Sequence, residues 1–105
     1  MSTIAAIATP NASGGIGVIR ISGEEAVSVA DSVFRSVSGK ALSSLKGYSA
    51  LFGHVYDGDS LIDECVALVF RGPKSYTGED VVEISCHGGL YVTQRVLRTV
   101  FNAGA

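Results

Sequence analysis

Tryptophan is absent from this chain, methionine occurs once, and cysteine only twice, as Cys65 and Cys86. Two cysteines are too few for a domain built on disulfides. Charge is scarce too: charged residues make up 17%, with 8 Lys and Arg against 10 Asp and Glu. No stretch is rich in Lys or Arg, and the formal net charge is -2. Nucleic-acid binding is driven largely by neutralising phosphates, so this chain alone makes a poor nucleic-acid surface. No apolar run approaches the roughly 18 residues of a spanning helix, so no membrane segment is expected. The start, MSTIAAIATP, lacks a basic n-region and has too short an apolar run for secretion. Free thiols without a signal peptide point to the cytoplasm.

What is present is apolar. Hydrophobic residues reach 47% of 105 residues, a length that suits one small domain, residues 1–105. A domain of this size buries only about 60–70% of its unfolded surface. So much apolar composition has two readings, a dense core or a surface held for a partner, and both stay open.

The element order is read from periodicity. Residues 3–9 are β-prone and end at Pro10, and Asn11-Ala12-Ser13-Gly14-Gly15 is a loop by composition. Residues 16–22 alternate, with Ile16, Val18 and Arg20 on one face and Gly17, Ile19 and Ile21 on the other. Ser22 with Glu25 reads as a capping box for an amphipathic helix over 23–37, closed by Gly39. Residues 47–56 and 61–70 are strands joined at Asp57-Gly58, a hairpin signal. After a loop over 71–78, residues 80–87 form a strand, with Val81, Glu83, Ser85 and His87 on one face and Val82, Ile84 and Cys86 on the other. Gly88-Gly89 breaks it, and 90–102 is a helix burying Val92 or Thr93, Val96, Leu97, Val100 and Phe101. This predicts an α+β fold, a mixed sheet of about five strands with two helices, in the order β-β-α-β-β-β-α.

Four features bear on function. Ser13-Gly14-Gly15-Ile16-Gly17 opens a strand, whereas a phosphate-cradling loop opens a helix, and no Walker-type GxxxxGK[ST] occurs. Arg20 is a cation in an apolar strand, where a salt bridge to a carboxylate is the default. Glu83 lies between Val82 and Ile84, where an acid is disfavoured. On a solvated face it needs no explanation; if buried it needs donors, and a carboxylate taking two parallel N–H bonds reads an amino-pyrimidinone edge well. Cys86 and His87 are adjacent on a strand and point to opposite faces, while Cys65 and His54 lie on other strands, so neither a metal centre nor a Cys-His pair is expected. No catalytic constellation emerges.

Three blocks carry a resemblance. Thr3-Ile4-Ala5-Ala6-Ile7-Ala8-Thr9-Pro10 with Gly14 to Gly23, then Gly72-Pro73-Lys74-Ser75-Tyr76-Thr77-Gly78-Glu79-Asp80, then His87-Gly88-Gly89, are similar in order to the amino-terminal part of the MnmE (TrmE) family of tRNA-modification GTPases. Asn11-Ala12-Ser13 departs from the more proline- and glycine-rich loop of the family.

The resemblance implies a folate-binding, aminomethyltransferase-like half-domain that dimerises. It implies 5-formyl-tetrahydrofolate or a related one-carbon tetrahydrofolate as the cofactor, with Arg20 and Glu83 as its contacts and a third, lysine contact beyond residue 105. It further implies a longer GTP-hydrolysing parent that modifies the wobble uridine of tRNA at C5. The helical and GTPase domains, with GTP, K+ and Mg2+, would lie outside 1–105, as would the contacts to tRNA and to a flavin-dependent partner. The ending at Asn102-Ala103-Gly104-Ala105, just past a helix, is read as a boundary within that parent. Two alternatives remain: a pure dimerisation domain without ligand, and a stand-alone folate-dependent protein of the same fold.

Overall fold

The computed structural model describes residues 3–8, 16–72 and 78–105. Six strands form one sheet: β1 (Ile4–Ile7), β2 (Gly17–Ser22), β3 (Phe34–Ser36), β4 (Ser49–Asp57), β5 (Ser60–Phe70) and β6 (Val81–Cys86). Their spatial order is β1-β2-β6-β5-β4-β3, and every pairing is antiparallel. The α+β expectation holds; the sheet has one strand more than expected and is antiparallel throughout rather than mixed. Helices α1 (Ala26–Val33) and α2 (Gly89–Asn102) both pack on one face.

Alternation decides that face. Ile19 and Ile21 of β2, Val82, Ile84 and Cys86 of β6, and Cys65, Ala67 and Val69 of β5 are fully buried beneath the helices. Ala26, Val29, Ala30 and Val33 of α1 meet them, with Val96 and Val100 of α2. Thr93 is also buried, whereas Phe101, expected in the core, is 47% exposed. At Gly17 an added Cβ would collide with the Thr93 side chain, so glycine here lets α2 approach β2.

The expected helix over 23–37 is shorter at both ends. Ser22 does not cap it, because Ser22 remains in β2, paired with Ile4 on one side and Val81 on the other. The α1 entrance is served by the residue preceding β1: Thr3 Oγ1 accepts the Glu25 N–H at 3.0 Å. At the far end Phe34 turns extended and pairs with Val55, so Phe34, Arg35 and Ser36 form the extra strand. Val37 is left exposed. The hairpin falls where Asp57-Gly58 placed it, with Asp57 opposite Ser60 and Gly58 at φ 61°.

Candidate functional site

The sheet face opposite the helices carries the two residues singled out from sequence. Arg20 on β2 and Glu83 on β6 are direct cross-strand partners. Arg20 Nε donates to Glu83 Oε2 at 2.8 Å, and Nη2 lies 2.7 Å from the same oxygen. The Glu83 side chain is 15% exposed and that of Arg20 39%. Both close contacts go to Oε2, which leaves Glu83 Oε1 without a partner among the described residues. On the other side of Glu83, Leu68 of β5 stands opposite it, and Val18 and Val66 flank Ser85 one step along.

This face is partly apolar, and none of the described helices covers it. Ile4 is 63% exposed and Phe52 48%. Phe52, His54 and Tyr56 line β4 edge to face, and the Arg35 guanidinium sits 4.4 Å from the Tyr56 ring centre. The ion pair therefore lies on the sheet face turned away from the two helices, where Ser22, Phe70 and Val81 are buried while Ile4 and Phe52 are exposed. A cleft of about 660 Å³ lies elsewhere, where Glu24, Glu25, Asp31 and Asp80 meet Arg71.

Sequence reasoning missed two carboxylates that organise the signature loops. Asp80 closes the ends of the second signature: its Oδ1 accepts the Gly72 N–H at 3.0 Å and its Oδ2 meets Arg71 Nη1 at 3.0 Å. Arg71 also donates to the Ser43 and Leu45 carbonyls, tying this loop to the segment after α1. Asp63 holds the third signature: its Oδ2 accepts the His87 N–H at 2.7 Å and the Gly88 N–H at 3.1 Å. Three of these four donors are backbone N–H groups, which a sequence pattern does not display. The glycine-rich loop over 11–15 and residues 73–77 lie outside the described residues.

Cys65 is not isolated, as its separate strand suggested. It stands opposite Cys86, with the sulfurs 3.8 Å apart in the core. The hydrogen bond with Cys86, reinforced by burial, pushes the Cys65 thiol well above its ordinary range. His87 is exposed, with Nδ1 3.2 Å from the Glu64 carbonyl oxygen. His54 lies 4.0 Å from Glu64. Among the described residues neither histidine is hydrogen-bonded to a hydroxyl or a thiol.

Comparison with known proteins agrees with the signature blocks. A family model described as GTP-binding protein TrmE N-terminus matches residues 3–105. Relatives named tRNA modification GTPase MnmE include that of Chlorobium phaeobacteroides, 52% identical over 103 residues, covering 96% of this chain and 22% of the relative. The protein of that name from Symbiobacterium thermophilum is 51% identical over 104 residues, 98% of this chain and 23% of its own length. That of Flavobacterium johnsoniae is 47% identical over 102 residues, 97% and 22% respectively. The chain thus spans less than a quarter of the length of these relatives. With a match over residues 3–105 and about half of its residues shared with such relatives, the chain belongs to the TrmE N-terminal family.

Proposed function

We propose that this chain is the tetrahydrofolate-binding and homodimerising domain of a GTPase that modifies the wobble uridine of tRNA at C5. The observation that carries the reading is the Arg20–Glu83 pair on the partly apolar sheet face opposite the helices. A pterin presents an amino-pyrimidinone edge with two N–H donors, and a carboxylate is the matching acceptor. Arg20 orients Glu83 through Oε2, while Oε1 remains to accept. Leu68, Val18 and Val66 offer apolar contact to a flat ring lying across the strands. The donor set thus fits a one-carbon tetrahydrofolate such as 5-formyl-tetrahydrofolate. The folate supplies the one-carbon unit, and this chain's residues bind and orient it.

The support for homodimerisation is the exposed apolar side chains on the face that no described helix covers. A flat sheet face buries little of a ligand, and binding sites enclose most of theirs. A second copy lying near exposed Ile4 and Phe52 supplies that enclosure and removes apolar surface from water. GTP hydrolysis with its K+ and Mg2+, tRNA binding and the contact with a flavin-dependent partner are assigned to the remainder of a longer cytoplasmic protein.

A second reading, a dimerisation domain without ligand, is favoured by the same ion pair, since Arg20 and Glu83 already satisfy part of each other's bonding. Sedimentation followed by calorimetric titration with 5-formyl-tetrahydrofolate separates the two. A dimer that takes up folate supports the first reading. A dimer with no heat of binding supports the second, and a strict monomer at micromolar concentration removes both.

A further inference from the structure

Cys65 on β5 and Cys86 on β6 are direct partners in the antiparallel register, and both are fully buried. Their Sγ atoms are 3.8 Å apart. Residues opposite one another in such a pair have Cα atoms about 4.5–5.5 Å apart, within the ~4.4–6.8 Å that a disulfide spans. A disulfide brings its sulfurs to about 2.05 Å, so each sulfur has to travel only ~1 Å, with no change of strand register. Cys86 is also the last residue of β6 and pairs on its other side with Gly17, the first residue of β2. Reaction of the buried sulfurs requires local opening of this end of the sheet.

We propose that Cys65 and Cys86 form a cross-strand dithiol that closes to an intramolecular disulfide in the presence of a low-molecular-weight disulfide. One cysteine, after losing its proton, attacks a sulfur of the small disulfide; a mixed disulfide forms and one small thiolate leaves. The second cysteine loses its proton and attacks the cysteine sulfur of that mixed disulfide. The protein S–S bond forms as the second small thiolate departs. Two protein thiols have then given up two electrons and two protons, and the small disulfide has been reduced to two thiols. The crosslink joins β5 to β6 one alternation beyond Ser85, on the strand that also carries Glu83. This inference stands independently of folate binding.

The same cluster offers a rival use. A carboxylate oxygen of Asp63 and both sulfurs lie within 4.8 Å of one another, the donor types of a thiophilic cation site. Asp63 Oδ2 already accepts two backbone N–H groups, which ties that carboxylate to the turn before α2. The direct contact between the sulfurs is therefore the stronger relationship, and cation capture becomes an outcome to be distinguished.

The test treats the purified protein with glutathione disulfide, quenches it in acid and alkylates it in denaturant before peptide mapping. Before treatment, Cys65 and Cys86 should both be alkylated. Afterwards neither should be, peptides containing the two should be linked, and dithiothreitol but not a chelator should restore labelling. The linked protein should also unfold at higher denaturant. In Cys65→Ala the remaining Cys86 should stop at the mixed disulfide. Thiols that stay alkylatable, links only between molecules, or protection reversed by a chelator would each overturn the proposal, and all three are read on the unsubstituted protein.

Discussion

Arg20 holds one oxygen of Glu83 across the β2–β6 pair, from Nε at 2.8 Å and Nη2 at 2.7 Å. The carboxylate is the less exposed partner, so losing the arginine leaves a largely desolvated charge behind. Arg20→Ala should destabilise the fold by about 1–2 kcal/mol, between the values of exposed and buried pairs. Chemical denaturation of Arg20→Ala, Glu83→Ala and the double variant checks this. The double variant should lose less than the sum of the singles; strict additivity would mean that the pair contributes no coupling.

Helix α2 reaches β2 through Gly17. The hydroxyl of Thr93 is tied to the Gly89 carbonyl at 2.8 Å, so the side chain has no easy way to give ground. Gly17→Ala should cost roughly 1–3 kcal/mol by overpacking. Combining it with Thr93→Ala should return part of that loss in a thermal melt. A Gly17→Ala protein as stable as the original would contradict the close approach.

Asp80 should matter more to the second signature than its half-buried surface position suggests. Asp80→Ala removes the acceptor of Gly72 N–H and the partner of Arg71 together. The expected loss is about 1–3 kcal/mol, the range of hydrogen bonds to charged groups. Hydrogen exchange at Gly72 should accelerate in the variant, and unchanged protection there would show that the carboxylate does not hold the loop.

Asp63 plays the matching part at the third signature. Its carboxylate sits at the α2 entrance, where backbone N–H groups and the helix dipole favour a negative charge. Asp63→Asn keeps an acceptor and should cost less than about 1 kcal/mol, while Asp63→Ala should cost about 1–3 kcal/mol. Amide exchange at His87 and Gly88 ranks the two variants. Equal effects would show that charge and hydrogen bonding at this turn contribute nothing.

The strands that face both core and open surface were legible from alternation alone, because a period of two fixes which side each residue meets. Arg20 and Glu83 stood out as charged positions in apolar strands for the same reason. That they meet each other was not legible. Their pairing depends on β6 inserting between β2 and β5, an order set by the packing of the whole sheet. The Cys65–Cys86 contact was hidden by the same long-range register. Helix α1 was overread because Val33, Phe34 and Val37 continue a helical spacing, whereas Phe34 gains more by pairing with Val55 beneath the helix layer. Ser22 had the right chemistry for a cap, yet its backbone was already committed to two neighbouring strands.

Calorimetric titration of 5-formyl-tetrahydrofolate into the dimer, alongside Glu83→Ala, tests the central assignment most directly. If Glu83 reads the pterin edge, the original protein binds and the variant, still folded and dimeric, loses roughly 2–4 kcal/mol of affinity, about 30- to 1,000-fold. Folate uptake that is indifferent to Glu83→Ala, or no uptake by the intact dimer, would contradict it and leave the Arg20–Glu83 pair as part of the scaffold.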